Sequence, residues 1–310
     1  MTRMSNLVPI VFCFDDNLEL AAGVCITSLL QHAVPDTFYD IFILHSDTCR
    51  FPSGRLNELP THYGNCRITY RTVGKEFENA FEIRGITIAA YYRLLIPELI
   101  PEYDKIFYSD VDVIFRNDLA DLYFSTDMEN YYLAGVSTPY SDITHYVETV
   151  IKTTIDSYIA SGNLILNSKK LKEDGIIEYF RLAALKKWKY QDMDIINIVC
   201  AGKIKLLPPW FCMTGTTFEI LNNPEQTYYS SDVVEYAQKN GIIHYNGPKP
   251  WMQYCLNFDI WWECYRYSIF FNARFYYEFY LSKMNDYDSL PLWKRIKILL
   301  RFFKTGGTLR

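Results

Sequence analysis

Asp110 and Asp112 stand one residue apart inside the apolar run 107–115 (FYSDVDVIF). Removing a carboxylate from water costs several kcal/mol unless it is paired. In an extended chain, residues two apart point the same way. Two converging carboxylates either raise one pKa or share a cation. Hard oxygen donors suit Mg²⁺ or Mn²⁺, and those ions clamp diphosphates. The plain alternative is a strand end with two solvated acids. A second polar cluster closes a strand further on: His244, Tyr245, Asn246, Gly247, Pro248, Lys249, Pro250 and Trp251 (HYNGPKPW). An imidazole is neutral near pH 7 and completes a carboxylate site for Mn²⁺. Gly247 lets backbone approach a phosphate, and Lys249 offers it a point charge. The plain alternative here is a Pro/Gly turn with a bystander histidine.

These groups need elements to hold them. Residues 8–14 (VPIVFCF) read as a buried strand that ends at Asp15, Asp16 and Asn17, followed by a helix over 18–32. Strands are expected at 38–45, 67–71, 105–109, 163–167, 203–207 and 242–245. Helices are expected at 52–62, 86–99 around Arg93, 168–187 and 191–200. The stretch 208–224 reads as a loop, with prolines and a Thr/Gly cluster. Strands alternating with helices make an α/β fold with a mostly parallel, doubly wound sheet. Such sheets bind ligands beyond the carboxyl ends of their strands, where both 15–17 and 110–112 fall.

The chain has 310 residues, 49% hydrophobic and 17% aromatic, with a net charge of −5, and no global nucleic-acid footprint. Its eight cysteines form no CxxC pair, which argues against a zinc ribbon or a thioredoxin-like site. No apolar run is long enough to span a bilayer. A reducing cytoplasm is the simplest compartment. After residue 251 the pattern shifts to aromatic helices. The expected division is therefore 1–252, carrying the chemistry, and 253–310, a helical C-terminal region.

With these motifs together, the chain resembles the retaining glycosyltransferases of family 8, which include glycogenin and bacterial lipopolysaccharide galactosyl- and glucosyltransferases. The resemblance rests on VFCFDDN, AAYYRLLIPELIPEYDKIFYSDVDVIFRNDLADLY, SGNLILN, YQDMDIIN and HYNGPKPW, spread over residues 8–251. It implies a GT-A nucleotide-sugar-binding fold, a UDP-sugar donor and a divalent cation, Mn²⁺ or Mg²⁺, held by Asp110, Asp112 and His244. It implies diphosphate contacts from Gly247 and Lys249. Asp15, Asn17 and the main chain at Cys13 and Val111 would meet the nucleoside. Arg93, Asp192, Ala160, Ser161 and Gly162 would surround the donor sugar. The strand-end Asp-x-Asp also occurs in haloacid-dehalogenase-like phosphatases. Here, however, Ile114 stands where they carry Thr or Val, and no later GDxxxD follows.

Two positions depart from the family pattern. Met193 stands where many bacterial members carry a glutamine, and a thioether cannot donate a hydrogen bond or act as that amide would. Ala160 and Ser161 stand where the family has Asn-Ala. Ser161 and Asn163 are the polar groups left to compensate. The expected activity is metal-dependent transfer of a hexose, UDP-galactose or UDP-glucose leading, to a glycan or lipid-linked acceptor with an α-linkage, as in lipopolysaccharide or capsule assembly. A catalytically silent nucleotide-sugar-binding protein and a self-glucosylating primer are the alternatives. Acceptor-side segments are expected at 139–154 and 208–229. The tail 293–310 carries Lys294, Arg295, Lys297, Arg301, Lys304 and Arg310 and no acid. Its apolar positions recur at helical spacing, which fits binding to an anionic membrane surface at the inner face. An oligomer is compatible with this reading.

Overall fold

Residues 8–13 are buried on both sides because they form an interior strand covered by helices on each face. The structure, a computed structural model, describes residues 6–77, 80, 88–138, 141–226, 228–280, 282 and 291–304. Nine strands are described: β1 Asn6–Cys13, β2 Thr37–Ser46, β3 Cys66–Val73, β4 Lys105–Ser109, β5 Val113–Ile114, β6 Leu133–Gly135, β7 Asn163–Asn167, β8 Ile204–Leu206 and β9 Ile243–His244. Seven of them form one sheet in the order β3-β2-β1-β4-β7-β6-β8, while β5 and β9 form a separate ribbon. The β3-β2-β1-β4 half is parallel, and β7 runs antiparallel to both β4 and β6.

Side-chain alternation along β1 builds two cores. Val8, Ile10 and Phe12 join the helix Glu19–Gln31 and the aromatic helix Phe258–Tyr267, whose Trp261, Trp262 and Tyr265 are buried. Val11 and Cys13 face the segment 88–96 and the helices Ile176–Ala184 and Gln191–Val199. The C-terminal aromatic helix therefore shares one core with the central strands.

Several expected elements take a different form. Residues 86–99 read as one α-helix, but Ile88–Leu95 is a 3₁₀ helix and only Ile96–Leu99 is α-helical. Pro97 has no N–H to donate backward, so the preceding turns tighten instead of continuing the α ladder. The expected helix 168–187 is two helices, Ser168–Glu173 and Ile176–Ala184, separated by Gly175 at φ +66°. The expected loop 208–224 contains the helix Gly215–Leu221, because the Thr214 side chain accepts the N–H of Thr217 as an N-cap. The span 52–62 resolves into short 3₁₀ pieces and the helix Leu59–Tyr63. Ile86, Pro139 and Arg310 lie outside the described residues.

Candidate active site

Strand β4 ends at Ser109, and the chain turns there to carry Asp110 and Asp112 beyond the sheet's carboxyl edge. The turn is fixed on both sides. The Asp110 N–H donates to the Gly162 carbonyl at 2.7 Å, which ties the exit of β4 to the entry of antiparallel β7. After Asp112, β5 pairs with β9, so Val113 lies opposite His244, and the Tyr245 N–H donates to the Asp112 carbonyl. This two-residue ribbon brings His244 over the two aspartates. His244 Nε2 lies 3.2 Å from Asp112 Oδ1 and 3.6 Å from Asp110 Oδ2. One ligand atom from each of the three residues falls within 4.8 Å of the others, the only such group of three or more His, Cys, Asp or Glu side chains among the described residues.

Each member is held from behind. Asp110 Oδ1 accepts from Arg93 Nη2 at 2.9 Å and from the Tyr108 hydroxyl at 2.5 Å, leaving Oδ2 toward His244. The Lys249 ammonium bonds Asp112 Oδ2 and the Tyr245 carbonyl. The His244 ring lies against Gly162, where a Cβ would fall 2.2 Å from Cε1. Burial opposes ionisation of Asp112, but His244 and Lys249 outweigh it and hold its carboxyl well below the usual range. Burial likewise works to discharge His244, and Asp112 outweighs it, raising the imidazole well above its ordinary value.

Arg93 is the hub of the flank beside Asp110. It is 5% exposed, and an unpaired buried guanidinium is strongly disfavoured. Its Nη1 lies 3.3 Å from Asp192 Oδ2 and donates to the Ser161 carbonyl at 2.6 Å, while its Nε donates to the Ala90 carbonyl. The guanidinium stacks 4.3 Å over the Tyr108 ring. Burial raises the Asp192 carboxyl, with Arg93 pulling the other way, and the Ser161 side chain hydrogen-bonds it. Asp192 Oδ2 is buried and, apart from that ion pair, makes no hydrogen bond. Gln191, which begins this helix, sits at φ +49°, in the left-handed region that non-glycine residues seldom occupy.

The structure thus brings together Asp110, Asp112, His244, Lys249, Arg93, Asp192, Ser161 and Gly162. Cys13 ends β1 next to this group; burial pushes its thiol up, with Arg93 opposing and Asp110 and Asp192 adding to the rise. Asp15 and Asn17 follow at the exit of β1, where the Asn17 N–H donates to Asp15 Oδ1 at 2.9 Å. Asp16 is structural, taking the N–H groups of Arg50 and Phe51. The Val111 side chain turns into the core. Gly247 faces open space, so backbone there can approach a ligand. Ala160 is buried and its N–H donates to the Val136 carbonyl. Asn163 cannot replace the missing amide: its Oδ1 accepts from Ser109 and its Nδ2 donates to the Phe211 carbonyl. Met193 packs into the apolar cluster of Ile143, Val147, Ile151 and Tyr158. Asp194, fully buried, accepts from the Tyr146 and Tyr158 hydroxyls and the Tyr190 N–H. It fastens the 141–158 segment beside the Asp192 helix. Tyr108 and Asp194 were not singled out from sequence. Tyr108 had a signal, since it precedes Asp110 by two residues.

The donor set fits a small divalent cation. Two carboxylates and one imidazole nitrogen converge, with the second atoms of all three ligands already engaged. With His244 neutral, as a ligand must be, three carboxylates (Asp110, Asp112, Asp192) face two permanent cations (Arg93, Lys249), a negative balance that a dication would reverse in favour of an anionic ligand.

The family model described as Glycosyl transferase family 8 matches residues 9–255. A protein of Haemophilus influenzae that carries a glycosyltransferase name is 28% identical over 81% of this chain and 75% of its own length. A lipopolysaccharide 1,2-glucosyltransferase of Escherichia coli is 25% identical over 76% of this chain and 71% of its own. Among solved structures, the galactosyltransferase LgtC with donor and acceptor sugar analogues superposes with a TM-score of 0.71 at 23% identity, covering 86% of this chain and 98% of that one. The WbbM bifunctional glycosyltransferase gives 0.72 at 23% identity over 87% of this chain, which spans 51% of that longer protein. These superpositions establish the shared fold.

Proposed function

The chain belongs to glycosyl transferase family 8 and has the GT-A fold, and on that premise we propose that it transfers a hexose from a UDP-sugar to a saccharide acceptor with retention of configuration. UDP-galactose and UDP-glucose are the favoured donors, and a glycan or lipid-linked saccharide the favoured acceptor. The convergence of Asp110, Asp112 and His244 carries this reading. These three would hold Mn²⁺ or Mg²⁺. When bound, the cation supplies Lewis-acid neutralisation of the charge that gathers on the departing UDP. Lys249 is within reach of the same diphosphate once it releases Asp112, and Gly247 leaves backbone room beside it. Asp192 Oδ2 offers a buried acceptor for a hydroxyl of the donor sugar. Arg93 fixes Asp192 and Asp110 in one frame.

Retention does not require an enzyme nucleophile. Met193 has no nucleophilic or hydrogen-bonding group for the task, and Asp194 is fully engaged by three donors. We favour a front-face route in which an oxygen of the leaving phosphate takes the acceptor's proton while the new bond forms on the same face. Residues 1–252 would carry this chemistry, and 253–310 would add the C-terminal helices. The helix Leu292–Lys304, with Leu292, Trp293, Ile296 and Leu300 exposed, would lie on an anionic membrane surface, placing the enzyme peripherally at the cytoplasmic face. Among the described residues no helix is long and apolar enough to cross a membrane.

Thermal unfolding with UDP, with and without Mn²⁺, tests the site. Ligand at about 100 times its dissociation constant stabilises by about 2.7 kcal/mol. UDP should stabilise wild type only with Mn²⁺ and leave Asp112→Ala unchanged; no stabilisation of wild type at millimolar UDP and Mn²⁺ refutes the reading. The packing of Met193 into an apolar cluster favours one second reading, a catalytically silent nucleotide-sugar-binding protein. It predicts Mn²⁺-dependent UDP binding with neither hydrolysis nor transfer from any UDP-hexose.

A further inference from the structure

His244 can ligate a cation through Nε2 only if its proton resides on Nδ1, and something must hold it there. The structure places the Cys212 sulfur 3.5 Å from His244 Nδ1. Cys212 is 1% exposed and lies on a segment locked to β9: Met213 donates its N–H to the Ile242 carbonyl, and the His244 N–H donates to the Met213 carbonyl. The ring's Cε1 edge rests on Gly162. Backbone pairing therefore fixes where the sulfur sits, and Gly162 fixes the plane of the ring that meets it. We infer that Cys212 is a positioning residue for the cation site: its sulfur accepts the Nδ1–H of His244, which selects the tautomer whose Nε2 lone pair faces Asp110 and Asp112. This deepens the metal-dependent reading above and rests on it. The sulfur lies on the far edge of the ring from the carboxylates, so it acts through His244 and does not itself ligate.

Outer partners of metal-bound histidines typically contribute about 10–100-fold to metal affinity. The full-length protein is titrated with Mn²⁺ at saturating UDP, following the free-ion paramagnetic resonance signal, for wild type, Cys212→Val and Cys212→Ser. Valine keeps the volume and removes the acceptor; serine restores an acceptor. The expected result is Mn²⁺ binding weakened about 10-fold or more in Cys212→Val, largely recovered in Cys212→Ser, with both variants melting like wild type in chelator. Wild-type affinity in Cys212→Val overturns the inference, as does serine no better than valine. If wild type itself binds no Mn²⁺, the metal reading fails and this inference with it. Nitrogen-15 spectra of wild type with Mg²⁺ and UDP, with His244 assigned through His244→Gln, give a measurement independent of variant folding. A proton on Nδ1 is expected, and a proton on Nε2 overturns the assignment.

Discussion

Gly162 shows how little room the Asp110–Asp112–His244 cluster has. A methyl group there would fall 2.2 Å from His244 Cε1, so Gly162→Ala must displace the ring. Over-packing of this kind costs about 1–3 kcal/mol. Denaturant unfolding should show that loss, and the Mn²⁺-dependent stabilisation by UDP should disappear with it. Arg93 tests the opposite flank. Arg93→Met leaves Asp110 and Asp192 facing each other without their guanidinium, and breaking a buried pair costs about 3–5 kcal/mol. The charge on His244 gives a pH signature. Its folded pKa is raised, so the charged ring stabilises the cation-free protein at pH below the ordinary histidine value, about 6.5. That contribution is lost as pH rises through the raised folded value. A cation at Nε2 must expel the same proton, so Mn²⁺ affinity should climb with pH over that range, about tenfold per unit for one proton. A Mn²⁺ titration repeated across pH reads this slope; a flat profile means the ring is already neutral without metal.

At the scale of elements, the 141–158 segment hangs on Asp194. Losing a hydrogen bond to a charged acceptor costs about 1.5–3 kcal/mol, so Tyr158→Phe should lower stability by that order and speed amide exchange in 141–158. Unchanged exchange would show that apolar packing alone holds the segment. Gly175 separates two helices at φ +66°, a conformation that costs a side-chain-bearing residue about 1–2 kcal/mol. Gly175→Ala should destabilise by that amount, measured as a shift in denaturant midpoint. These elements also show what the sequence made legible. The strands 105–109 and 163–167 match β4 and β7 end to end, because continuous apolar runs bounded by polar residues suit strands buried on both faces. Asp110, Asp112 and His244 were likewise legible, since strand-end placement follows from the runs before them. Breaks inside helical periods were not, because a glycine at the end of one helix and a proline inside another leave the apolar spacing intact. The contacts of Cys212 with His244 and of Tyr108 with Asp110 were hidden for another reason. Each depends on a partner brought near by tertiary pairing, and only the Tyr108–Asp110 pair is close in sequence.

For the whole molecule, the exposed apolar row on Leu292–Lys304 belongs to the proposal of membrane attachment. Each Lys or Arg near an anionic surface contributes about 1 kcal/mol. Removing residues 291–310 should abolish co-flotation with phosphatidylserine vesicles while leaving Mn²⁺-dependent UDP binding intact. Flotation that survives the truncation would move the contact elsewhere. The β5–β9 ribbon has a consequence in time as well as in space. Asp112 and its partner Lys249 are 137 residues apart in the chain. At synthesis rates of about 5–20 residues per second, roughly 7–27 s separate their emergence from the ribosome. Until His244 and Lys249 emerge, the nascent chain carries two of the three candidate cation ligands, and a product terminated earlier never gains the third or the lysine that pairs with Asp112. On the proposed function, a chain that ends before β9 would lack the third ligand, so no donor would be spent until translation has passed Ile243–His244.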